Sequence, residues 1–194
     1  MKKLFKLVSS FVLLAVSAYS TSTSAAVVID FSTGLAGSGG TISYDGANVV
    51  GTDILIGGLL VEGAPVGNGT YVVDALLDFD TAANTIEIFG TVETLVGIPQ
   101  ILLTGSFDSF SYTADAFGNE IFSGTGPDIK SCALLCELGL PSDLPFNFFG
   151  FSVEAANGNV VSTDIVNTAV PVPAAVWLFG TGLLGLVGVA RRRA

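Results

Sequence analysis

Histidine is missing from all 194 residues. With it go the usual imidazole general base, the commonest transition-metal ligand and the middle member of a Ser-His-Asp triad. Zinc-dependent hydrolysis and triad chemistry are set aside on that ground, and carboxylates remain as the plentiful acid–base groups. Positive charge is almost as scarce. Of the seven Lys and Arg, Lys2, Lys3 and Lys6 stand at the amino end and Arg191, Arg192 and Arg193 at the carboxyl end. Residues 27–170 therefore carry Lys130 alone against all seventeen Asp and Glu, a formal charge of −16. Such a field repels nucleic acid and anionic lipid, which are held by clustered Lys and Arg, so no nucleic-acid partner is expected. Cysteine occurs twice, at Cys132 and Cys136. That spacing is not the Cys-x-x-Cys of a thiol redox site, and without a following His it cannot attach haem. The sole Trp, Trp177, lies outside the acidic stretch.

The two ends of the chain are apolar and flanked by the scarce cations. Met1-Lys2-Lys3-Leu4-Phe5-Lys6 is a basic start, Leu7 to Ala18 an apolar run, and Ser24-Ala25-Ala26 a small-residue site for signal peptidase. Cleavage after Ala26 is expected, following passage through the Sec translocon. At the other end, Pro171-Val172-Pro173 precedes an uncharged, mostly apolar stretch from Ala174 to Ala190, closed by the three arginines. Its seventeen residues make a helix about 25 Å long, just short of the usual hydrocarbon thickness. The prolines mark where the helix begins, and the arginines hold its far end on the cytoplasmic side. Everything before Pro171 is thus expected outside the inner membrane.

The order Val170-Pro171-Val172-Pro173-Ala174-Ala175-Val176-Trp177-Leu178-Phe179-Gly180, followed by a Gly/Leu-rich helix and an arginine cluster, closely resembles the PEP-CTERM sorting signals, in particular the VPLPA-type variant. Val172 stands where that variant usually has Leu, and the Pro-Glu-Pro of the founding type is absent. The resemblance implies a Gram-negative bacterium in which an exosortase, a membrane cysteine transpeptidase, recognises Val170 to Ala174, removes the helix and passes the protein to the cell surface or polysaccharide matrix. An ordinary single-pass anchor is the alternative. It would use the apolar run and Arg191 to Arg193 but has no need of the Pro-x-Pro-Ala-Ala-x-Trp prelude.

Between these ends, short apolar or alternating runs are punctuated by Gly, Asn and Asp, the pattern of an all-β sandwich or barrel. Expected strands are Val27–Phe31, Thr41–Tyr44, Asp53–Val61, Thr70–Phe79, Thr85–Thr94, Gln100–Phe107, Phe110–Thr113, Glu120–Phe122, Phe146–Glu154 and Asn159–Val166. Asp45-Gly46, Asn68-Gly69, Gly118-Asn119 and Asn157-Gly158 supply residues that tolerate positive φ in tight turns. Period two sends Tyr71, Val73, Ala75, Leu77 and Phe79 to one face and Asp74, Leu76, Asp78 and Asp80 to the other. Pro127 to Gly139 reads as one short helix, capped by Asp128 and ended at Gly139 and Pro141. The expected fold is an antiparallel β-sandwich of two packed sheets, jelly-roll-like, over residues 27–167. A signal peptide occupies 1–26, and the sorting signal with its transmembrane helix occupies 168–194.

Few side-chain groupings in that body carry chemistry. Cys132 and Cys136 are a candidate disulfide in an oxidising compartment. A regular helix, however, holds Cβ atoms four residues apart at about 5–6 Å, where a bridge wants about 3.8 Å. Asp78, Asp80 and Asn84 are a weak calcium candidate. An EF-hand loop starting at Asp78 would need Gly and Glu where Ala83 and Phe89 stand, and the rival reading has Asp80 and Asn84 bonding the turn's own amides. Glycosidase chemistry needs two carboxyls facing a cleft. Asp74 and Glu87 are candidate cross-strand neighbours, with two solvated side chains as the plainer account. Phe107, Phe110, Tyr112, Phe117 and Phe122, and Phe146, Phe148, Phe149 and Phe151, read as core rather than as platforms for sugar rings, since Phe lacks a polar edge. No catalytic residue or cofactor is expected, with calcium as the one candidate ion. The expectation is a non-enzymatic structural or adhesive protein, with a calcium- or polysaccharide-binding module second and a carboxylate-dependent glycan hydrolase third.

Overall fold

A computed structural model of the chain describes residues 26–33, 39–144 and 146–169, with the backbone alone at Asn147 and Phe148. The expected signal peptide up to Ala25 and the sorting signal from Val170 onward, Arg191 to Arg193 included, lie outside the described residues. No described helix is long and apolar enough to cross a membrane.

Alternation builds the walls. In Gly69–Asp80 the side chains of Val73, Ala75, Leu77 and Phe79 are buried, while Val72, Asp74, Leu76 and Asp78 between them are exposed. The described residues form ten strands: β1 (Val28–Ser32), β2 (Thr41–Tyr44), β3 (Val49–Glu62), β4 (Gly69–Asp80), β5 (Thr85–Val92), β6 (Val96–Gly105), β7 (Ser109–Ala114), β8 (Asn119–Lys130), β9 (Phe146–Ala156) and β10 (Asn159–Thr168). All pairings are antiparallel. β1 and β2 lie one after the other along the same edge of β3, and β6 and β7 lie end to end along β8. β10 then pairs with β9 on one side and with β1 and β2 on the other, which closes the sheet on itself.

The all-β architecture with one short helix is as expected, and each expected strand has its counterpart. The expected pair of packed sheets takes the form of one closed sheet whose opposite walls meet inner face to inner face. Strand order differs from a jelly roll, which requires connections that skip neighbours. Here most strands lie beside their predecessors, the exceptions being β2, which continues the lane of β1, and β7, which continues that of β6. Asn157 (φ 51°) and Gly158 (φ 78°) turn β9 directly into β10, and Asp115 to Gly118 do the same between β7 and β8.

The expected helix over Pro127 to Gly139 is corrected to α1 (Cys132–Glu137), with Ser131 as its cap in place of Asp128. Leu134 N–H donates to Ser131 Oγ at 3.2 Å. Pro127 to Lys130 complete β8 instead, because Asp128 and Lys130 point inward and Ile129 outward, and the ladder pairs them with Leu103 to Gly105. Pro127, with no N–H to offer, falls where the β8–β9 register slips between Gly126 and Asp128. Gly139 does end the helix, at φ 69°, where its N–H reaches Cys136 O and that of Leu140 reaches Leu135 O.

Inside, aromatic rings join opposite walls. Phe79 on β4 stacks on Phe122 of β8 at 4.7 Å between centroids and meets Phe151 of β9 edge-on at 5.1 Å. Phe107 touches Phe79, Phe122 and Phe149 edge-on. Two glycines make the room: a Cβ at Gly51 would collide with the Phe79 ring, and one at Gly124 with Phe107. Leu134 and Leu135 of α1 and Leu138 just after it are buried and fill one end of the ring. At that end Ala169 N–H donates to Val27 O at 2.8 Å, so the first and last described stretches leave side by side.

Gly51→Val is accordingly expected to overpack the aromatic core and lower stability by about 1–3 kcal/mol, read as a lower urea midpoint; an unchanged midpoint would contradict this account of the core.

Candidate functional site

The end of the ring opposite α1 is built by aspartates that fold their own turns. Asp45 Oδ1 accepts from Ala47 and Asn48 N–H at 2.8 and 2.7 Å, and Asp115 Oδ1 accepts from Phe117 and Asn119 N–H at 2.8 and 2.9 Å. Asp80 Oδ1 likewise accepts from Ala82 and Ala83 N–H at 2.7 and 3.1 Å. These bonds stabilise the ionised carboxylate. The Asn48 and Ala47 amides hold Asp45 below its ordinary value, and the Asn119 side chain and amide do the same for Asp115.

Each member of the calcium candidate is directed to a backbone amide. Asp80 closes its turn. Asp78 Oδ1 accepts from Asp53 N–H at 2.8 Å, where Asp53 stands at φ 53° in a bulge of β3 that leaves its amide outside the ladder. Asn84, at φ 57°, accepts from Phe107 N–H at 2.8 Å and so holds the kink between β6 and β7. Among the described residues, no three carboxylate or cysteine side chains converge as metal ligands would. Asp78, Asp80 and Glu87 do line one outer concavity of about 510 Å³, together with Thr52, Thr85 and Thr104.

The expected Asp74–Glu87 pairing is corrected. The turn Thr81 to Asn84 sets Asp80 opposite Thr85, which puts Asp78 opposite Glu87 and Asp74 opposite Thr91. Two like charges therefore face each other on the outer wall, an arrangement that opposes folding slightly.

Cys132 and Cys136 are exposed free thiols with their sulfurs 3.3 Å apart. The contact with Cys132 raises the Cys136 thiol above its ordinary value. The pair is brought together on one face of α1 without a bond.

Lys130 takes an unexpected place. The body's one cation is buried, 2.8 Å from Asp128 Oδ2 and 4.0 Å above the Phe146 ring. Burial pushes Lys130 down to about 8 against the pull of Asp128, and burial pushes Asp128 up against the pull of Lys130. The other carboxyl oxygen, Asp128 Oδ1, has no hydrogen-bond partner among the described residues. A cavity of about 380 Å³ adjoins the pair, walled by Leu135, Asp143, Leu144 and Phe146. On the outer wall, burial and then the neighbouring Asp164 raise Asp30 to about 7.

Of the expected core aromatics, Phe107, Phe122, Phe146, Phe149 and Phe151 are buried, whereas Phe110 is 41% and Phe117 86% exposed. Tyr112 is not packed as core alone. It stacks on Tyr44, a residue no sequence pattern singled out, because the two come from strands that are not neighbours.

Compared with known proteins, the chain matches no family model, no curated protein and no solved structure.

Removing one partner of the buried pair should cost far more than removing both. Lys130→Met is expected to lose about 3 kcal/mol at neutral pH because it strands Asp128, and Asp128→Leu with Lys130→Met to regain most of it; equal losses in urea unfolding would refute this. The folded chain holds the Asp30 proton more tightly than the unfolded chain does. Its contribution is therefore complete below 3.8 and is lost as pH rises toward about 7. Asp45 and Asp115 contribute in the opposite sense, above 3.8, and lose that contribution as pH falls through their lowered values. Urea midpoints should peak in mild acid and decline toward neutrality, and Asp30→Asn should flatten that decline.

Proposed function

We propose that this chain is an exported protein of a Gram-negative bacterium. A signal peptide ending at Ala26 is removed by signal peptidase after Sec passage, and a carboxyl-terminal helix anchors the chain transiently. An exosortase-like transpeptidase then delivers residues 27 onward to the cell surface or extracellular polysaccharide matrix. There the body acts as a structural or adhesive element rather than a catalyst, with matrix polysaccharide as its natural neighbour. The observation that carries the reading is the order of the tail: Val170-Pro171-Val172-Pro173-Ala174, an uncharged apolar run, then Arg191 to Arg193.

Features of the body support the reading. Val27 and Ala169, next to the expected cleavage point and the sorting motif, lie side by side at one end of the body, and the aspartate-folded turns stand at the other. Closure of the sheet on itself pairs most strand edges, β7 being paired along β8 alone, and so limits pairing with other chains in a crowded matrix. A formal charge of −16 over residues 27–170 keeps copies apart and soluble. An oxidising compartment suits the exposed Cys132 and Cys136, whose sulfurs need only a short approach to bond.

In a host that carries an exosortase, the mass of the surface-released protein should correspond to a chain without residues 1–26, Trp177 and the arginines, and alkylation before reduction should leave both cysteines unlabelled. Pro171→Ala with Pro173→Ala should leave the uncut chain in the membrane fraction. A released product that still holds Trp177, or an uncut chain dissolved in the cytosol, would overturn the reading.

A further inference from the structure

Two of the three tyrosines in residues 27–170 meet each other. Tyr44 ends β2 and Tyr112 lies in β7, and their rings stack with centroids 4.3 Å apart and planes inclined by 29°. β2 is hydrogen-bonded to β3 and β10, and β7 to β8, so this contact joins two stretches of wall that share no ladder. Both rings are on the inward side of their strands: Tyr44 has the parity of buried Ile42, and Tyr112 pairs with buried Phe122. They meet at the end that carries the aspartate-folded turns, where the ring of strands opens to solvent. Tyr44 is 46% exposed and Tyr112 half-buried, so a diffusing oxidant reaches the pair. The third tyrosine, Tyr71, has no aromatic ring in contact among the described residues.

We propose that Tyr44 and Tyr112 form an oxidative cross-linking site, joined as dityrosine across the mouth of the barrel by a one-electron oxidant of the peroxide and peroxidase class. Each phenol gives up one hydrogen atom, leaving a radical whose unpaired electron is shared with the ring carbons beside the oxygen. The two radicals pair to form one carbon–carbon bond between those positions. The hydrogen on each joined carbon then moves to the phenol oxygen as the rings regain aromaticity. In net, two hydrogens leave the protein and one hydrogen peroxide is reduced to two waters. The oxidant comes from outside the protein, and nothing else on the chain is consumed.

Geometry favours this coupling over its competitors. Rings already in face contact react as one molecule, with the encounter entropy lost beforehand. Coupling between chains must instead bring together two bodies of formal charge −16, which repel. A phenylalanine pair would pack equally well there but could not cross-link. The bond would tie stretches of chain far apart in sequence and so restrict the unfolded state as a long-loop disulfide does. The inference needs only the folded body and stands apart from the export reading.

The test treats the full chain, purified in detergent, with a peroxidase and low hydrogen peroxide, then reduces and alkylates it so that any disulfide is removed from the mass balance. The expected product is a single-chain species lighter by two hydrogens. Its digest should yield one cross-linked peptide pair containing Tyr44 and Tyr112, and it should show the blue emission of dityrosine and a higher urea midpoint. Tyr44→Phe and Tyr112→Phe should each abolish the emission, and Tyr71→Phe should leave it unchanged. Absence of the Tyr44–Tyr112 peptide pair from the treated wild-type chain would overturn the proposal. Emission that survives in Tyr44→Phe, or products linked only between chains, would overturn it equally.

Discussion

Closure of the backbone ladder is the constraint on which the rest depends. A half-buried sheet must pair its inner amides and carbonyls, and an unpaired edge invites other chains. Here the short strands β1 and β2 fill one lane between β3 and β10, and that insertion turns a meander into a ring. Without β1, β3 and β10 would both expose an edge at the α1 end. With it, the first and last described stretches are locked side by side, and the inner face becomes a closed volume to be filled by side chains alone.

Filling that volume explains the aromatic distribution and two glycines. Phe79, Phe122 and Phe151 meet from opposite walls, and room for the rings is left where Phe79 lies over its cross-strand partner Gly51 and Phe107 over Gly124. At the other end the buried Leu134, Leu135 and Leu138 contribute to the filling. The Lys130–Asp128 pair sits on this side beneath Phe146. Its placement inside removes the one positive charge from the surface, so the exterior of the body presents acidic groups and no cation among the described residues. Among the described residues no three of those acidic groups converge as metal ligands would. Asp45, Asp80 and Asp115 are taken up by turns, and Asp78 by a bulge on the next strand.

Much of this was legible locally. Strict alternation in β4 announced which of its residues would be buried, because period two is a property of any strand with one wet face. Asn157-Gly158 announced a hairpin because few residues tolerate successive positive φ. Other features had no local signal. Pro127-Asp128-Ile129-Lys130 reads as a capped helix start, and partners on β6 and β9 make it a strand end instead. The Asp78–Glu87 opposition depends on the length of one turn, and a shift there moves every cross-strand partner.

The chain by itself determined the all-β class, the acidic and histidine-free chemistry, the turn positions and a tail that resembles a sorting signal. These follow from composition, periodicity and contiguous motifs, which need no knowledge of distant contacts. Tertiary structure alone decided that the strands close into one ring, that Lys130 is buried against Asp128, and that Tyr44 stacks on Tyr112. The ring and the tyrosine stack bring together residues far apart in sequence, and Lys130 and Asp128, two residues apart, are turned inward only because their segment joins the sheet. Only the register of the finished sheet, set by burial of its inner face, assigns them their partners.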